Sequence, residues 1–280
     1  MDFKRLADLI MIEQTLFALP FALVGVLFAG GGSIMTWIWV GIALAAARTA
    51  GMSFNRVIDA DIDAKNPRTR ERIVASGEVN RVSVWLTAVA ASLIFIFAAY
   101  MLNPLCFYLS FVCVLLLFTY SFLKRFTAAS HFYLGLIEAA APAGGYLAVT
   151  GRLDMVAVLL GLVILAWIAG LDIVYAFADM EFDKQEKLHS LPVDLGPERA
   201  LKASRICYGV AVAGLVLAGL ITGKGGPYWI ALVVIGLVFF YQQVLAGRTD
   251  DPAATARIFS ANLWISPVLL LGTLIDLFPG

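Results

Sequence analysis

The chain has 280 residues, 61% of them hydrophobic and 14% charged, with 20 basic and 20 acidic side chains and a mean hydropathy of +0.88. Water-soluble domains carry charge on about a quarter of their positions, so a soluble domain is excluded and a polytopic, all-α membrane protein is expected. The even charge balance gives no basis for a nucleic-acid partner, and no GxGxxG, Walker lysine, Ser/His/Asp order or HExxH supports a soluble nucleotide-binding or hydrolase reading.

In chain order, the opening "MDFKRLADLIMIEQ" reads as an amphipathic helix lying in the membrane interface over about residues 1–12. The apolar run at 14–30 is longer than a signal h-region and lacks a small-residue cleavage site, so it is expected to stay attached. Further runs follow near 34–54, 82–102, 104–122, 132–149, 155–177, 203–222, 227–246 and 258–278, nine in all. Each approaches the roughly 20 residues that cross a bilayer as a helix. Threading nine spans puts all the Lys and Arg on one side except Arg152 and Lys224. That is the positive-inside pattern of a cytoplasmic N-terminus in a cell membrane, the bacterial inner membrane by expectation. The three cysteines form no CxxC and read as small side chains within apolar helices. No linker or second domain interrupts residues 1–280, so a single transmembrane domain is expected.

Two loops, about 58–80 and 179–200, are long and charged, and both fall on the cytoplasmic side. They resemble each other. "VIDADIDAK" at 57–65 set over "FADMEFDKQ" at 177–185 aligns Asp59 with Asp179, Asp61 with Glu181 and Asp63 with Asp183, which predicts two related helical halves around a central cavity.

At 100° per residue, Arg48, Asn55, Asp59 and Asp63 share one stripe of the second span if its helix continues past the apolar end. Asp172, Tyr175, Asp179 and Asp183 share another on the sixth. Asn66-Pro67 then stops the first helix. Two such carboxylate stripes facing each other require a cation, and hard oxygen ligands without Cys or His point to Mg²⁺, whose other positions go to water and phosphate. Asp61 and Glu181 point away from the stripes and read as solvated. Arg68, Arg70, Arg72, Lys184, Lys124 and Arg125 supply the forks and point charges a diphosphate needs, or else serve as positive-inside anchors. Arg48, Glu138 and Asp172 lie inside spans and so face a cavity. Arg48 could meet a carboxylate on a ligand, or pair with Asp172 or Glu138. His131 and His189 lack metal-ligand spacing and read as incidental.

"NRVIDADIDAKNPRT" and "DIVYAFADMEFD", with "IEQTLFALPFAL", "YSFLKRFT" and "KLHSLPVDLG", resemble the acid motifs and flanking segments of the UbiA superfamily of intramembrane aromatic prenyltransferases, over the whole chain. The resemblance implies Mg²⁺ held by Asn55 and Asp59 at one ion and by Asp179 and Asp183 at the other, with Asp63 nearby. It implies diphosphate contacts from Arg68, Arg72, Tyr120 and Lys124, and Tyr175 is counted with the substrate contacts. Arg56 stands where many members have an Asp and is not assigned to metal; Lys187 stands where related sequences often have Gly.

The activity so implied is transfer of a polyprenyl group from its diphosphate to an aromatic carboxylic acid, with Asp172 or Asp63 taking the ring proton. The first choice of acceptor is 4-hydroxybenzoate in quinone synthesis, the second a dihydroxynaphthoate for menaquinone. A cation-coupled transporter is the reading from a different class, and it expects the acids near the bilayer midplane.

Overall fold

The computed structural model describes Arg5, Asp8, Leu9 and residues 12–247 and 252–277, with residues 12–17 and Pro252 described by their backbone only. The interfacial helix expected over 1–12 lies mostly outside the described residues. Every element among them is helical: α1 (Ile12–Phe28), α2 (Ile34–Ile58), α3 (Ala60–Asp63), α4 (Arg81–Leu102), α5 (Pro104–Leu123), α6 (Ser130–Thr150), α7 (Met155–Tyr175), a 3₁₀ turn (Ala176–Asp179), α8 (Met180–Gln185), α9 (Leu191–Leu195), α10 (Pro197–Ile221), α11 (Gly226–Ala246), α12 (Pro252–Asn262) and α13 (Ile265–Leu277). Eight helical stretches among the described residues are long and apolar enough to cross a membrane. The remaining predicted span, the first at 14–30, corresponds to α1, whose described apolar part is the shorter Ala18–Phe28.

Local chemistry sets the helix ends. Ser33, Asn80 and Asp154 cap α2, α4 and α7 by accepting backbone N–H groups. Gly151, at φ 63°, closes α6 in the left-handed conformation that glycine adopts without a steric penalty. The last predicted span, at 258–278, falls within the spanning stretch Ala253–Leu277, which is interrupted at residues 263–264 because α12 ends at Asn262 and α13 begins at Ile265. Pro267 accounts for the break, since it has no N–H for the carbonyl of Leu263 and its ring would clash there.

The chain divides into two compact units, one of residues 1–19 and 33–122, the other of residues 20–32 and 123–280. In the first, α2 packs on α4 through Ala50, Phe54, Ala88 and Ala91, with Leu117 and Phe118 of α5 against the same cluster. Phe54 meets Trp85 and Phe118 edge-on at 5.7 and 5.5 Å. Below it, Leu9, Val57, Ala60, Val74, Val79 and Val84 form a second cluster that ties down the charged loop.

In the second unit, small residues let helix backbones touch. A Cβ at Gly25 of α1 would fall on the Pro142 carbonyl of α6, and one at Gly145 on the Ala22 carbonyl. A Cβ at Gly135 would fall on the Leu165 carbonyl, bringing α6 and α7 together one turn from the start of α6. Buried hydrogen bonds pin the rest: Ser204 Oγ donates to the Gly170 carbonyl (2.7 Å), and Gln242 bridges the Tyr208 hydroxyl and the Ile258 carbonyl. At the α10–α11 turn, Asp276 accepts the Gly225 N–H at 2.7 Å and faces the buried Lys224 ammonium, which also sits over the Phe28 ring. Burial lowers the Lys224 pKa against the opposing pull of Asp276.

Large apolar side chains such as Tyr108, Leu115, Ile230 and Phe240 stand exposed along the helices, as a lipid-facing surface requires.

The Gly145 contact is testable. Gly145→Leu is expected to destabilise the detergent-solubilised protein by about 3 kcal/mol, because backbone cannot yield to the added side chain. Gly144→Leu, with nothing within 4 Å of its Cβ position, should leave the melting temperature nearly unchanged. Equal melting of the two variants would remove the α1–α6 approach as a source of stability.

Candidate active site

The first acid motif is built by a helix that almost continues. α2 stops at Ile58 because Asp59 takes φ −92° and ψ 0°, a sparsely populated conformation. The helical ladder survives the bend: the Asp59 N–H still bonds the Asn55 carbonyl (2.9 Å), and the Asp63 N–H bonds the Asp59 carbonyl (2.8 Å). Asn55, Asp59 and Asp63 therefore remain one turn apart.

The side chains of this motif are tied together. Asn55 Nδ2 donates to Asp59 Oδ2 at 2.7 Å and to Ser121 Oγ at 3.2 Å. With both amide hydrogens engaged, Asn55 Oδ1 remains as the acceptor, the atom a hard cation needs. Buried Asp63 receives Arg72 Nη1 on both oxygens, at 2.7 and 2.8 Å. Arg56 is buried beside Asp59 and Asp63 and adds positive charge among the acids; a guanidinium donates and cannot coordinate a cation. Asp61 is exposed and pairs with Arg81 at 2.5 Å.

Past the motif, Asn66 Oδ1 accepts the Arg68 N–H (2.9 Å), forming the turn expected at Asn66-Pro67. Arg68 is exposed and Arg72 half-buried, while Tyr120 on α5 and Arg48, within α2, are half-buried.

The second motif repeats this design. α7 ends at Tyr175, a single 3₁₀ turn follows, and Asp179 takes φ −105° and ψ 0° before α8 begins. Asp59 and Asp179, aligned by the sequence repeat, thus share a backbone conformation at the same point of their motifs. Asp179 is buried, and Asp183 is fully buried with Lys124 Nζ 2.8 Å from Oδ1. Glu181 is exposed and pairs with Lys184, as solvated residues do. The Tyr175 hydroxyl is buried and has no hydrogen-bond partner among the described residues.

The segment after α8 is pinned at several points. The Leu188 N–H bonds the Asp183 carbonyl and the His189 N–H bonds the Lys124 carbonyl, both at 2.8 Å. Lys187 has φ 56°, which explains why glycine suits that position: the left-handed region costs an ordinary residue about 1 kcal/mol or more.

One sequence reading is corrected. His131 is not incidental: it is buried on α6, its Nδ1 lies 2.7 Å from Asp172 Oδ2, and its Nε2 accepts the Leu191 N–H at 3.1 Å. The carboxylate weighed as a partner for Arg48 is thus held by an imidazole. No periodicity links residues 41 positions apart, so only the packing of α6 on α7 could disclose the pair.

Each motif offers a hard, oxygen-only donor set, Asn55 and Asp59 in one, Asp179 and Asp183 in the other. Among the described residues no three His, Cys, Asp or Glu side chains lie together so as to hold a metal ion by themselves. A few carboxylates leaving positions for water and phosphate suit Mg²⁺ better than zinc or a fully protein-caged ion.

Residues 18–266 match the model of the UbiA prenyltransferase family. The chain is 34% identical over 236 residues to the 4-hydroxybenzoate octaprenyltransferase of Alkalilimnicola ehrlichii, covering 83% of this chain and 79% of that one. It is 28% identical over 279 residues to the enzyme of the same name from Shewanella halifaxensis, covering 98% and 96%. Among solved structures it superposes on an apo UbiA homolog from Aeropyrum pernix with a TM-score of 0.87 and 30% identity, over 95% of this chain and 99% of that one. A UbiA homolog from Archaeoglobus fulgidus bound to GPP and Mg²⁺ has a TM-score of 0.75 over 98% and 99%, and at 20% identity shows the shared fold alone. The chain belongs to the UbiA prenyltransferase family.

Proposed function

We propose that this enzyme transfers a polyprenyl group from a polyprenyl diphosphate to an aromatic carboxylic acid, with 4-hydroxybenzoate as the first choice of acceptor, as a step of ubiquinone or menaquinone biosynthesis. The observation that carries the reading is the repeated motif: two aspartates, Asp59 and Asp179, in the same backbone conformation at the ends of spanning helices, each accompanied by a cation on the next acid. The names of the relatives from Alkalilimnicola and Shewanella support the acceptor, and the GPP and Mg²⁺ in the Archaeoglobus homolog support the donor and the metal. Acids at helix ends also argue against the transporter, which needs them near the middle of a span. We place the protein in the cell membrane with both acid loops cytoplasmic.

Asn55 and Asp59 would hold one Mg²⁺, and Asp179 and Asp183 the other. Bound there, the metal supplies charge neutralisation to the departing diphosphate. Arg68, Arg72, Tyr120 and Lys124 contact the diphosphate, and the charges of Arg68, Arg72 and Lys124 remain when it departs with the electron pair of the broken allylic C–O bond. The buried Tyr175 hydroxyl gains in a substrate oxygen the acceptor it lacks. Arg48 takes the carboxylate of the aromatic acid, orienting the ring carbon that forms the new C–C bond. The ring proton then goes to a carboxylate. Asp63 has both oxygens engaged by Arg72, whereas Asp172 is 29% exposed and gives one oxygen to His131. That difference favours Asp172 Oδ1.

The test is to incubate membranes containing the protein with one labelled prenyl diphosphate, Mg²⁺ and a panel of hydroxybenzoates and hydroxynaphthoates. A prenylated hydroxybenzoate is expected. Exclusive product from a dihydroxynaphthoate would move the enzyme to the runner-up acceptor, and no prenylated aromatic product from any member would reject the reading. In the same assay Arg48→Ala is expected to raise KM for the carboxylated acceptor about a hundredfold, the loss of a charge-assisted pair, with KM for the prenyl donor changed less than about threefold. Equal loss for both substrates would remove Arg48 from the acceptor site.

A further inference from the structure

His131 has a defined protonation pattern. A backbone N–H can only donate, so the Leu191 amide at 3.1 Å requires a lone pair on Nε2. The ring proton of the neutral imidazole then lies on Nδ1, facing Asp172 Oδ2 at 2.7 Å as a donor to the carboxylate. Both ring nitrogens are committed and the side chain is buried, at 3% exposure. His131 is therefore poorly placed to shuttle a proton, because taking a second one at Nε2 would break the Leu191 bond.

The rest of the geometry shows what it is built for. Among the described residues, the Asp172 carboxylate is hydrogen-bonded by His131 alone. The contact exists because Gly135, one turn along α6, lets that helix reach the α7 backbone at Leu165, seven residues before Asp172. Leu191 opens α9, and Ser190, its N-cap, makes no side-chain capping bond; His131 supplies a cap from another helix. Ile173 of α7, Leu191 of α9 and Ala200 of α10 share one buried cluster, closing the apolar side of the same joint.

We infer that His131 is a positioning residue, which orients Asp172 so that Oδ1 faces the reacting ring and ties that orientation to the folded state of the 188–196 segment behind the second acid motif. The catalytic half of this inference rests on the reading of Asp172 as the base; the tautomer and the tie to Leu191 do not. When the segment is ordered, Asp172 is aimed; when Leu191 lets go, the imidazole loses its second anchor and the carboxylate its direction.

The full chain carries two histidines, so ¹⁵N-histidine labelling of the solubilised enzyme gives a spectrum that His131→Phe assigns at once. The expected result is a neutral Nδ1–H tautomer for His131, with faster deuterium exchange of the Leu191 peptide in His131→Phe than in the parent. In the acceptor assay, Asp172→Asn should lower kcat by about 10²-fold or more, the usual contribution of a general base. His131→Phe should lower it by about tenfold or more, with both KM values within about threefold, and His131→Gln should recover part of the loss because its amide can both donate and accept. The double variant His131→Phe/Asp172→Asn should be no worse than Asp172→Asn alone, since the two residues act as one unit.

An Nε2–H tautomer, or a double variant that loses the product of the two single effects, overturns the inference. Full kcat in His131→Phe beside a crippled Asp172→Asn rejects the role of His131 while leaving Asp172 as the base. Full kcat in Asp172→Asn rejects the base reading itself and the catalytic half of the inference with it.

Discussion

Asp59→Ala and Asp179→Ala are each expected to lower Mg²⁺-dependent diphosphate release by about 10³-fold or more, the scale on which single groups that stabilise departing charge contribute. The loss should be chemical. Both residues terminate a helix in a conformation that alanine also adopts, at φ −92° and −105° with ψ 0°, so neither substitution introduces backbone strain. Neither aspartate belongs to an apolar cluster, and the melting temperature of each variant should stay within a few degrees of the parent. Asp59→Ala also frees Asn55 Nδ2 from one acceptor, but Ser121 Oγ remains at 3.2 Å to hold the amide. Diphosphate release measured at saturating Mg²⁺ decides the matter. Turnover retained in both variants would count decisively against two acid motifs acting on one leaving group.

Lys124→Met should act on stability and chemistry together. Asp183 is fully buried, with the Lys124 ammonium 2.8 Å away, and removing that cation strands a carboxylate in a site that water does not reach. Breaking a buried pair from one side costs about 3–5 kcal/mol. Because Lys124 is itself 39% exposed, solvent screens part of the interaction and about 2–3 kcal/mol is the expected loss. The double variant Lys124→Met/Asp183→Asn removes the stranded charge and should recover most of the stability, yet remain inactive on the proposed reading, in which Lys124 meets the diphosphate and Asp183 holds metal. Thermal melting in detergent alongside diphosphate release separates the two effects. A double variant as unstable as the single one would show that the pair does not govern the local fold, and an active double variant would remove Lys124 and Asp183 from the site.

Much of this arrangement could be read from the chain. Helix ends are local events, written in Ser33, Asn80, Gly151 and Asp154, and the predicted spans meet the observed helices within a few residues along most of the chain. The repeat was legible because acids at equal spacing in two otherwise apolar stretches stand out, and the shared backbone bend at Asp59 and Asp179 gives that alignment a structural counterpart. The last span was legible as well, but the short interruption inside it at Leu263-Trp264 was not, because an apolar run hides its proline when composition alone is weighed. Lys187 shows the converse case: a glycine-like position was visible, but its left-handed φ was not.

Composition, the apolar runs and the spacing of acids by themselves determined that this is a helical membrane protein, where most of its helices begin and end, and which carboxylates recur at matching positions in two motifs, because each of these depends on neighbours within a few turns. Which group answers which acid was decided only by the tertiary structure. Arg72 on Asp63, Lys124 on Asp183 and above all His131 on Asp172 join residues 9, 59 and 41 positions apart. The two longer pairings exist because helices and loops pack closely enough to put each acid beside its partner, as Gly135 does for Asp172 and His131. A buried charge cannot go without a partner, but nothing local to it says where that partner lies.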